Sequence, residues 1–259
     1  MSLTLGPGPL GTQPGGEANY TIDGPKHRIW FHPHPRRIRA EVGGRTVLDS
    51  TGGHLLHESN IPPRLYVPLD DFDRDVLEPT DHTTHCPFKG DAGYYTIRVG
   101  DVVRENSVWA YPHPLAAAPW LAPFASLYWD LADAWYEEDE RLPALRDPYH
   151  RVDVRRTSRP VRIVADDGTD VAQSERATLV FETGAPPRFY LPREDVAAEL
   201  VPSAKRSTCP YKGEASYFSL RIGDRLIEDA AWSYEQPLEG ALGARRLVSF
   251  MHDGLEVRA

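Results

Sequence analysis

The sequence contains two copies of one pattern, and this internal repeat constrains the fold more than any other feature. Residues 82–111 align without a gap to residues 205–234 at a shift of 123, and 12 of these 30 positions are identical. The best-matched stretch sets Cys86-Pro-Phe-Lys-Gly90 against Cys209-Pro-Tyr-Lys-Gly213. Two copies with so long a period indicate a duplicated domain rather than a solenoid, whose repeats are short and numerous.

Further matches flank this stretch and set the extent of the repeat. They pair Glu58 with Glu182, Pro62–Pro68 with Pro186–Pro192, His27 with His150, and Leu127–Trp129 with Ser249–Met251. We therefore predict a first domain over 26–140, a linker over 141–149 and a second domain over 150–259. Residues 1–25 hold ten Gly or Pro and predict a flexible tail.

Short apolar runs separated by turn residues fill each copy and predict antiparallel strands. The turns Gly43-Gly44 and Asp166-Asp-Gly168 are typical of β-hairpins. The predicted strands are Ile38–Val42, Thr46–Leu48, Tyr94–Val99, Val161–Val164, Asp170–Ala172, Leu179–Glu182, Arg188–Leu191 and Tyr217–Ile222. We predict a mainly β chain of two tandem, homologous, small antiparallel β domains, each with one short helix, over Asp71–Leu77 and Glu194–Leu200. The 24 Pro and 20 Gly suit such a turn-rich fold.

Charge and the start of the sequence bear on partners and location. With 29 Lys and Arg against 38 Asp and Glu, the net charge is −9, so we expect no nucleic-acid partner. The first residues lack the basic region and long apolar run of a secretory signal. The longest uncharged stretch, 110–129, contains four prolines, which disfavours a membrane-spanning helix. We expect a cytoplasmic protein with reduced cysteines and no membrane partner; monomer and homo-oligomer both stay open.

The repeated Cys-Pro-x-Lys-Gly motif is the first candidate for chemistry. Pro and Gly suit a tight turn, which would fold Lys89 or Lys212 close to the sulfur of Cys86 or Cys209. A nearby ammonium lowers the pKa of a thiol and favours the nucleophilic thiolate. The alternative is a buried cysteine that fills a corner of the domain.

A base for such chemistry should occur in both copies. His85 precedes Cys86, but neighbours along a strand point to opposite faces, and its counterpart is Thr208. Glu58 and Glu182 hold matching positions, so we predict that they orient the catalytic group. The alternative is that they accept hydrogen bonds from backbone donors or from a nearby arginine.

Each copy also has a matched set of aromatic and arginine side chains. These predict a pocket for a small molecule, with the arginine as a handle for an anion. The set is Arg64, Tyr66, Tyr94, Trp109 and Tyr111 in the first copy, and Arg188, Tyr190, Tyr217, Trp232 and Tyr234 in the second. The alternative is that the aromatic residues form the core of a small β domain.

Histidines are concentrated in the first copy. Together with Cys86, four of them could supply the ligands of a nitrogen–sulfur metal site: His54, His57, His82 and His85. The second copy has no equivalent cluster, so we predict no metal ligands. We expect His27, His32 and His34 at the surface. Dinucleotide, phosphate-loop and serine-hydrolase motifs do not occur, and no cofactor is predicted.

These motifs together carry a resemblance to a known family. Pro-Pro-Arg-x-Tyr-x-Pro, then Thr208-Cys-Pro-Tyr-Lys-Gly213, then Trp232-Ser-Tyr234 resemble the domain of unknown function 427 family, and the likeness covers both copies. The resemblance implies a compact tent-like β fold, related to methionine-R-sulfoxide reductases and to small zinc-bearing exchange-factor proteins, and tandem members occur mainly in bacteria. The zinc-binding Cys-x-x-Cys of those relatives is absent here. The family also carries a nucleotidyltransferase label, but the usual Gly-Ser followed by Asp-x-Asp is absent as well.

Three functions follow as hypotheses. The leading one is binding of a small molecule around the Cys-Pro-x-Lys-Gly motif, with thiol chemistry as an open extension. The second is a structural or protein-interaction module without activity. The third is the nucleotidyltransferase of the family label, which would require Mg²⁺-dependent nucleotide binding.

Overall fold

The structure, a computed structural model, describes residues 24–259 and, before them, Thr4, Gly8, Glu17 and Asn19. The tail predicted over 1–25 therefore lies almost entirely outside the described residues. The chain forms two compact units, Met1–Asp147 and Pro148–Ala259. The division falls within the segment 141–149 that the sequence marks as a linker.

The first unit has eleven described strands joined by short 3-10 turns. The strands are β1 (Ile29–Pro33), β2 (Ile38–Val42), β3 (Arg45–Ser50), β4 (His54–Glu58), β5 (Ile61–Pro68), β6 (Leu77–Cys86), β7 (Gly90–Val99), β8 (Val102–Ala110), β9 (Phe124–Leu127), β10 (Ala134–Glu137) and β11 (Glu140–Leu142). The 3-10 turns are Leu69–Asp71, Arg74–Val76, Pro119–Leu121 and Trp129–Leu131.

Two antiparallel sheets build this unit. The larger has the order β1-β4-β5-β9-β8-β7-β6, and the smaller has the order β11-β10-β2-β3. Side chains alternate between the faces of a strand, and β5 shows the result. Leu65 and Val67 belong to the main core, which also includes Ile38 and Val47 of the smaller sheet, whereas Tyr66 belongs to a separate aromatic cluster.

The second unit repeats this plan. Its strands are β12 (Val152–Arg156), β13 (Val161–Ala165), β14 (Asp170–Ser174), β15 (Thr178–Glu182), β16 (Arg188–Tyr190), β17 (Glu199–Cys209), β18 (Gly213–Ile222), β19 (Arg225–Ser233), β20 (Val248–Phe250) and β21 (Leu255–Arg258), with 3-10 turns at Arg193–Asp195 and Glu239–Ala244. The sheet orders are β12-β15-β16, β17-β18-β19-β20 and β14-β13-β21. The first two correspond to the large sheet of the first unit, and the reciprocal backbone hydrogen bonds of Leu191 and Val248 link them at 2.8 Å.

The mainly β fold in two homologous halves is confirmed, and the predicted hairpins are present as β2–β3 and β13–β14. The helical segments are shorter than predicted. In place of Asp71–Leu77 there is a 3-10 turn at Arg74–Val76, and in place of Glu194–Leu200 there is one at Arg193–Asp195. Strand pairing overrides helix formation there, because Leu77 already pairs with Ile97 in β6–β7, as Glu199 pairs with Arg221 in β17–β18.

One end of the repeat was aligned wrongly from the sequence. The register sets Trp109 opposite Ser126, and it sets Trp232 opposite Ser249. The shift of 123 therefore continues to the end of β9, and Tyr128 corresponds to Met251 rather than to Phe250. No helix in the described part of the chain has both the length and the apolar character that crossing a bilayer requires.

Candidate functional site

The Cys-Pro-x-Lys-Gly motif forms the turn of a hairpin. Cys86 and Gly90 pair as the last residues of β6 and the first of β7, and the Lys89 amide donates to the Cys86 carbonyl at 3.2 Å. Gly90 has a φ of +103°, a region that side chains with a Cβ rarely adopt. The Leu115 amide donates to the Lys89 carbonyl at 2.9 Å. These hydrogen bonds fix the backbone from which the lysine side chain projects.

Lys89 points to a carboxylate. Its Nζ donates to Glu58 Oε2 at 2.5 Å, and His27 Nε2 lies 3.0 Å from Glu58 Oε1. The side chains of Glu58 and Lys89 are only 5% and 10% exposed. The ring of Phe88 stacks on His27 with 3.8 Å between centroids, which fixes the imidazole from the side of the turn. The result is a buried His–Glu–Lys network, formed by a residue before β1, the end of β4 and the hairpin turn.

Beside this network lies a cavity of about 210 Å³. We call it the first-unit pocket; its lining residues are Glu58, Ile61, Arg64, Tyr66, Lys89, Tyr94, Trp109, Tyr111 and Tyr128. All five residues predicted to bind a ligand in the first copy, and both polar residues Glu58 and Lys89, therefore meet at one place. The aromatic residues take part in a buried cluster as well, so the same side chains contribute to the core and line the cavity.

The aromatic walls are rigidly held. Trp109 Nε1 donates to the Tyr66 hydroxyl at 3.0 Å, and the two rings meet edge to face. Tyr128 lies against Trp109 with 4.5 Å between ring centroids. Burial raises the pKa of Tyr66 and of Tyr111 far above the ordinary value of a phenol. Both hydroxyls are therefore neutral at physiological pH and can donate or accept hydrogen bonds.

Arg64 is the exposed charged member of the first-unit pocket. Within the described part of the chain its side chain makes no hydrogen bond, ion pair or ring contact, although its charge acts on Tyr128. Lys89 and Glu58, by contrast, neutralise each other. The unbalanced charge that lines the pocket is therefore the guanidinium of Arg64.

The second unit reproduces the polar network. Lys212 Nζ donates to Glu182 Oε2, His150 Nε2 lies 3.1 Å from Glu182 Oε1, and Tyr211 stacks on His150 at 3.9 Å. The hydrogen bond from His150 is the main reason that the pKa of Glu182 falls to about 2; the hydrogen bond and charge of Lys212 also lower it. Trp232 Nε1 donates to the Tyr190 hydroxyl at 3.1 Å, as Trp109 does to Tyr66.

The lysine of each motif, predicted to lie close to a thiol, forms an ion pair with a carboxylate. Among the residues that the structure describes, the partner of the Lys89 ammonium is Glu58, and that of Lys212 is Glu182. Cys86 packs half-buried against the aromatic cluster and does not line the first-unit pocket. Each carboxylate accepts hydrogen bonds from a lysine and a histidine. The alternative offered from the sequence was backbone donors or a nearby arginine. Both cysteines are free thiols.

The histidines of the first unit have varied surroundings. His54 stacks on Phe31, His82 lies against Tyr94, and His85 pairs with Asp91 at the exposed end of the hairpin. Over residues 24–259 and the four described before them, no three His, Cys, Asp or Glu residues meet in a group that could hold a metal ion.

Two histidine predictions are wrong. His34 is only 4% exposed, and burial is the main cause that lowers its pKa. His27 is half-buried in the site rather than on the surface, and so is its counterpart His150, which is 8% exposed in its side chain. The signal was available in the sequence, because these histidines match at the shift of 123 that also joins Lys89 to Lys212. Ile61 and Tyr128 were also missed, and no motif pointed to them.

Comparison with known proteins gives one finding. A family model described as Domain of unknown function (DUF427) matches residues 30–138 and matches again over residues 153–259. A search of curated proteins returned no match.

Proposed function

Because this chain belongs to the DUF427 family as a tandem two-domain member, and that family name assigns no activity, we propose a function from the site itself. We propose that the first unit binds a small aromatic carboxylate in the first-unit pocket. The observation that carries the proposal is the meeting of five aromatic side chains, one unpaired guanidinium and a neutral lysine–glutamate pair around a single cavity.

The walls favour a planar, apolar body. Tyr66, Trp109 and Tyr128 present ring edges and faces that are already fixed by hydrogen bonds and by contacts with one another. Aromatic rings pack best against other rings in stacked or edge-to-face arrangements. Since the walls are already ordered before binding, little conformational entropy is lost when a ring enters. A volume of about 210 Å³ suits a single substituted ring rather than a nucleotide.

The charge at the rim favours an anion. Arg64 has a planar fork of donors that matches the two oxygens of a carboxylate, and it has no competing partner among the described residues. The buried floor of the pocket offers hydrogen-bonding groups that would orient the ligand. The ammonium of Lys89 has donors beyond the one that it gives to Glu58, and the hydroxyl of Tyr111 is neutral, so both can hydrogen-bond a polar substituent on the ring.

Thiol chemistry has less support than binding. Lys89 is hydrogen-bonded to Glu58, and Cys86 packs against the aromatic cluster without lining the first-unit pocket. The binding proposal therefore does not use the thiol. It keeps the small-molecule hypothesis of the sequence and moves the polar centre from Cys86 to the network of Lys89, Glu58 and His27.

The test is calorimetric titration of the full chain with benzoate. Three ligand controls separate the contributions: cyclohexanecarboxylate lacks the aromatic face, benzylamine reverses the charge, and phenyl phosphate changes the anion. We expect saturable binding of benzoate with a Kd below about 1 mM, weaker binding of cyclohexanecarboxylate and none of benzylamine. Stronger binding of phenyl phosphate than of benzoate overturns the choice of a carboxylate.

Protein variants complete the test. Arg64→Ala is expected to weaken benzoate binding roughly 10- to 100-fold, because a hydrogen-bonded charge pair is lost. Arg74→Ala is the matched control, because Arg74 is an exposed arginine of the same unit paired with exposed Asp70. No heat with any aromatic acid supports the structural-module alternative. Saturable binding of ATP only with Mg²⁺ supports the nucleotidyltransferase alternative. Either result overturns the proposal.

A further inference from the structure

The two units differ at one position beside the tryptophan that they share. Trp109 faces Ser126, and Trp232 faces Ser249, so the residues two places further along the chain are structural counterparts. These are Tyr128 in the first unit and Met251 in the second. The counterpart arginines, Arg64 and Arg188, stand in strands β5 and β16, opposite Leu56 and Val180.

In the first unit the tyrosine covers the tryptophan and leaves the arginine unengaged. The ring of Tyr128 lies 4.5 Å from that of Trp109, centroid to centroid, and both line the first-unit pocket. Arg64 is exposed, and its side chain makes no hydrogen bond or ring contact with any described residue. It is free to meet an anion.

In the second unit the arginine takes the place beside the tryptophan. The guanidinium carbon of Arg188 lies 5.5 Å from the centre of the Trp232 ring, which is the geometry of a cation–π contact. Its Nη2 lies 3.2 Å from the sulfur of Met251. Arg188 is half-buried as a result, where Arg64 is exposed. A ligand would have to displace this guanidinium before it could stack on Trp232 or pair with Arg188.

We infer that the Tyr128/Met251 position decides which unit accepts the aromatic carboxylate, so that the chain binds one such ligand, in its first unit. The inference rests on the proposed function. Tyrosine at this position packs on the tryptophan and keeps the arginine available. Methionine is flexible and gives the arginine a soft partner, so the guanidinium closes over the tryptophan. The second-unit site, formed by Arg188, Trp232 and their neighbours, is thus blocked by its own arginine.

The experiment counts binding sites with 4-fluorobenzoate by ¹⁹F NMR on the full chain. The wild type is expected to bind one equivalent, and Arg64→Ala is expected to weaken that binding event roughly 10- to 100-fold, which assigns it to the first unit. Met251→Tyr is expected to add a second equivalent, because the new ring displaces Arg188 from Trp232. Met251 is 60% exposed, so this substitution does not disturb the core. Leu226→Tyr is the control, since Leu226 is 43% exposed at the far end of β19.

The reverse substitution gives an independent measurement. Tyr128→Met is expected to weaken binding in the first unit about tenfold, because Arg64 can then fold onto Trp109. Two equal sites in the wild type, or a single site in Met251→Tyr, would overturn the inference while the proposed function stands. No binding of 4-fluorobenzoate to any variant would overturn the proposed function and this inference together.

Discussion

Lys89 donates a hydrogen bond to Glu58 across 31 positions of the sequence, at 2.5 Å and away from water. The same pairing joins Lys212 to Glu182 in the second unit. Both lysines project from a hairpin turn. Glu58 is the last residue of β4, and Glu182 is the last residue of the corresponding strand β15. The duplicated motif therefore builds an ion pair in each unit, buried in the first and part-buried in the second. In the first unit this pair forms the polar floor of the candidate site.

Removing the lysine is expected to destabilise the first unit more than the second. Lys89→Met leaves the Glu58 carboxylate buried without its cation, which costs about 3 kcal/mol of the free energy of unfolding. Lys212→Met is expected to cost less, because the side chain of Glu182 is 19% exposed and that of Glu58 is 5% exposed. The measurement is the midpoint of urea denaturation for the two variants. Equal effects, or no effect from Lys89→Met, would contradict the assignment of a buried pair.

The stability of the second unit is expected to fall in acid because of Glu182. Its pKa in the folded protein is about 2, below its ordinary value of 4.5, chiefly because His150 donates a hydrogen bond to it. A depressed carboxyl pKa stabilises the fold at pH values above the unfolded pKa, and that contribution is lost as pH falls from about 4.5 toward 2. It amounts to about 2–3 kcal/mol.

The check is denaturation of the wild type and of Glu182→Gln between pH 2 and pH 7. The difference in unfolding free energy between the two is expected to shrink as pH falls through this window. A difference that is constant with pH would show that Glu182 is not held in its charged form by His150 and Lys212.

Alanine substitutions at three glycines distinguish backbone strain in the hairpin turn from the general effect of adding a methyl group. Gly90→Ala and Gly213→Ala are each expected to cost about 1–3 kcal/mol, because φ is +103° and +97° at these positions. A Cβ there would also lie 3.4 Å from backbone atoms of the following loop. Gly93→Ala is the control, because a Cβ meets nothing within 4 Å and the second unit has Ser216 at that place. Thermal unfolding of the three variants gives the comparison.

The thiol is expected to be dispensable for binding. Cys86→Ser should keep the affinity for benzoate within about twofold, since Cys86 does not line the first-unit pocket and Lys89 is bonded to Glu58. Calorimetric titration of this variant beside the wild type measures the effect. A loss of tenfold or more would return the thiol to the centre of the site and favour the chemistry first suggested by the Cys-Pro-x-Lys-Gly motif.

The hairpins could be predicted from the sequence because the two signals that mark them, residue alternation along a strand and turn glycines, are local. The alternation along Tyr94–Val99 and the glycine turn at Gly43-Gly44 are enough to predict hairpins, and both are present. The helix predicted at Glu194–Leu200 failed because a non-local contact decides that segment. Glu199 pairs with Arg221 in a neighbouring strand, and the local preference gives way.

The site could be predicted only in part, because it too depends on contacts between residues far apart in the sequence. The repeat pointed to Glu58 and Lys89 separately, but which group each meets depends on how β4 and the hairpin turn are placed by the sheet. His27 was dismissed because it precedes the first strand, although its match to His150 was visible. Tyr128 was missed because its counterpart is Met251, so no matched pattern marks it, and only the strand register aligns the two positions.

The most direct test of the central claim is a crystal structure of the full chain grown with 4-bromobenzoate, with the ligand located by the anomalous scattering of bromine. We expect a bromine peak inside the first-unit pocket, with the carboxylate at the guanidinium of Arg64 and the ring against Trp109 and Tyr128. Absence of a peak from that pocket at a saturating ligand concentration would contradict it.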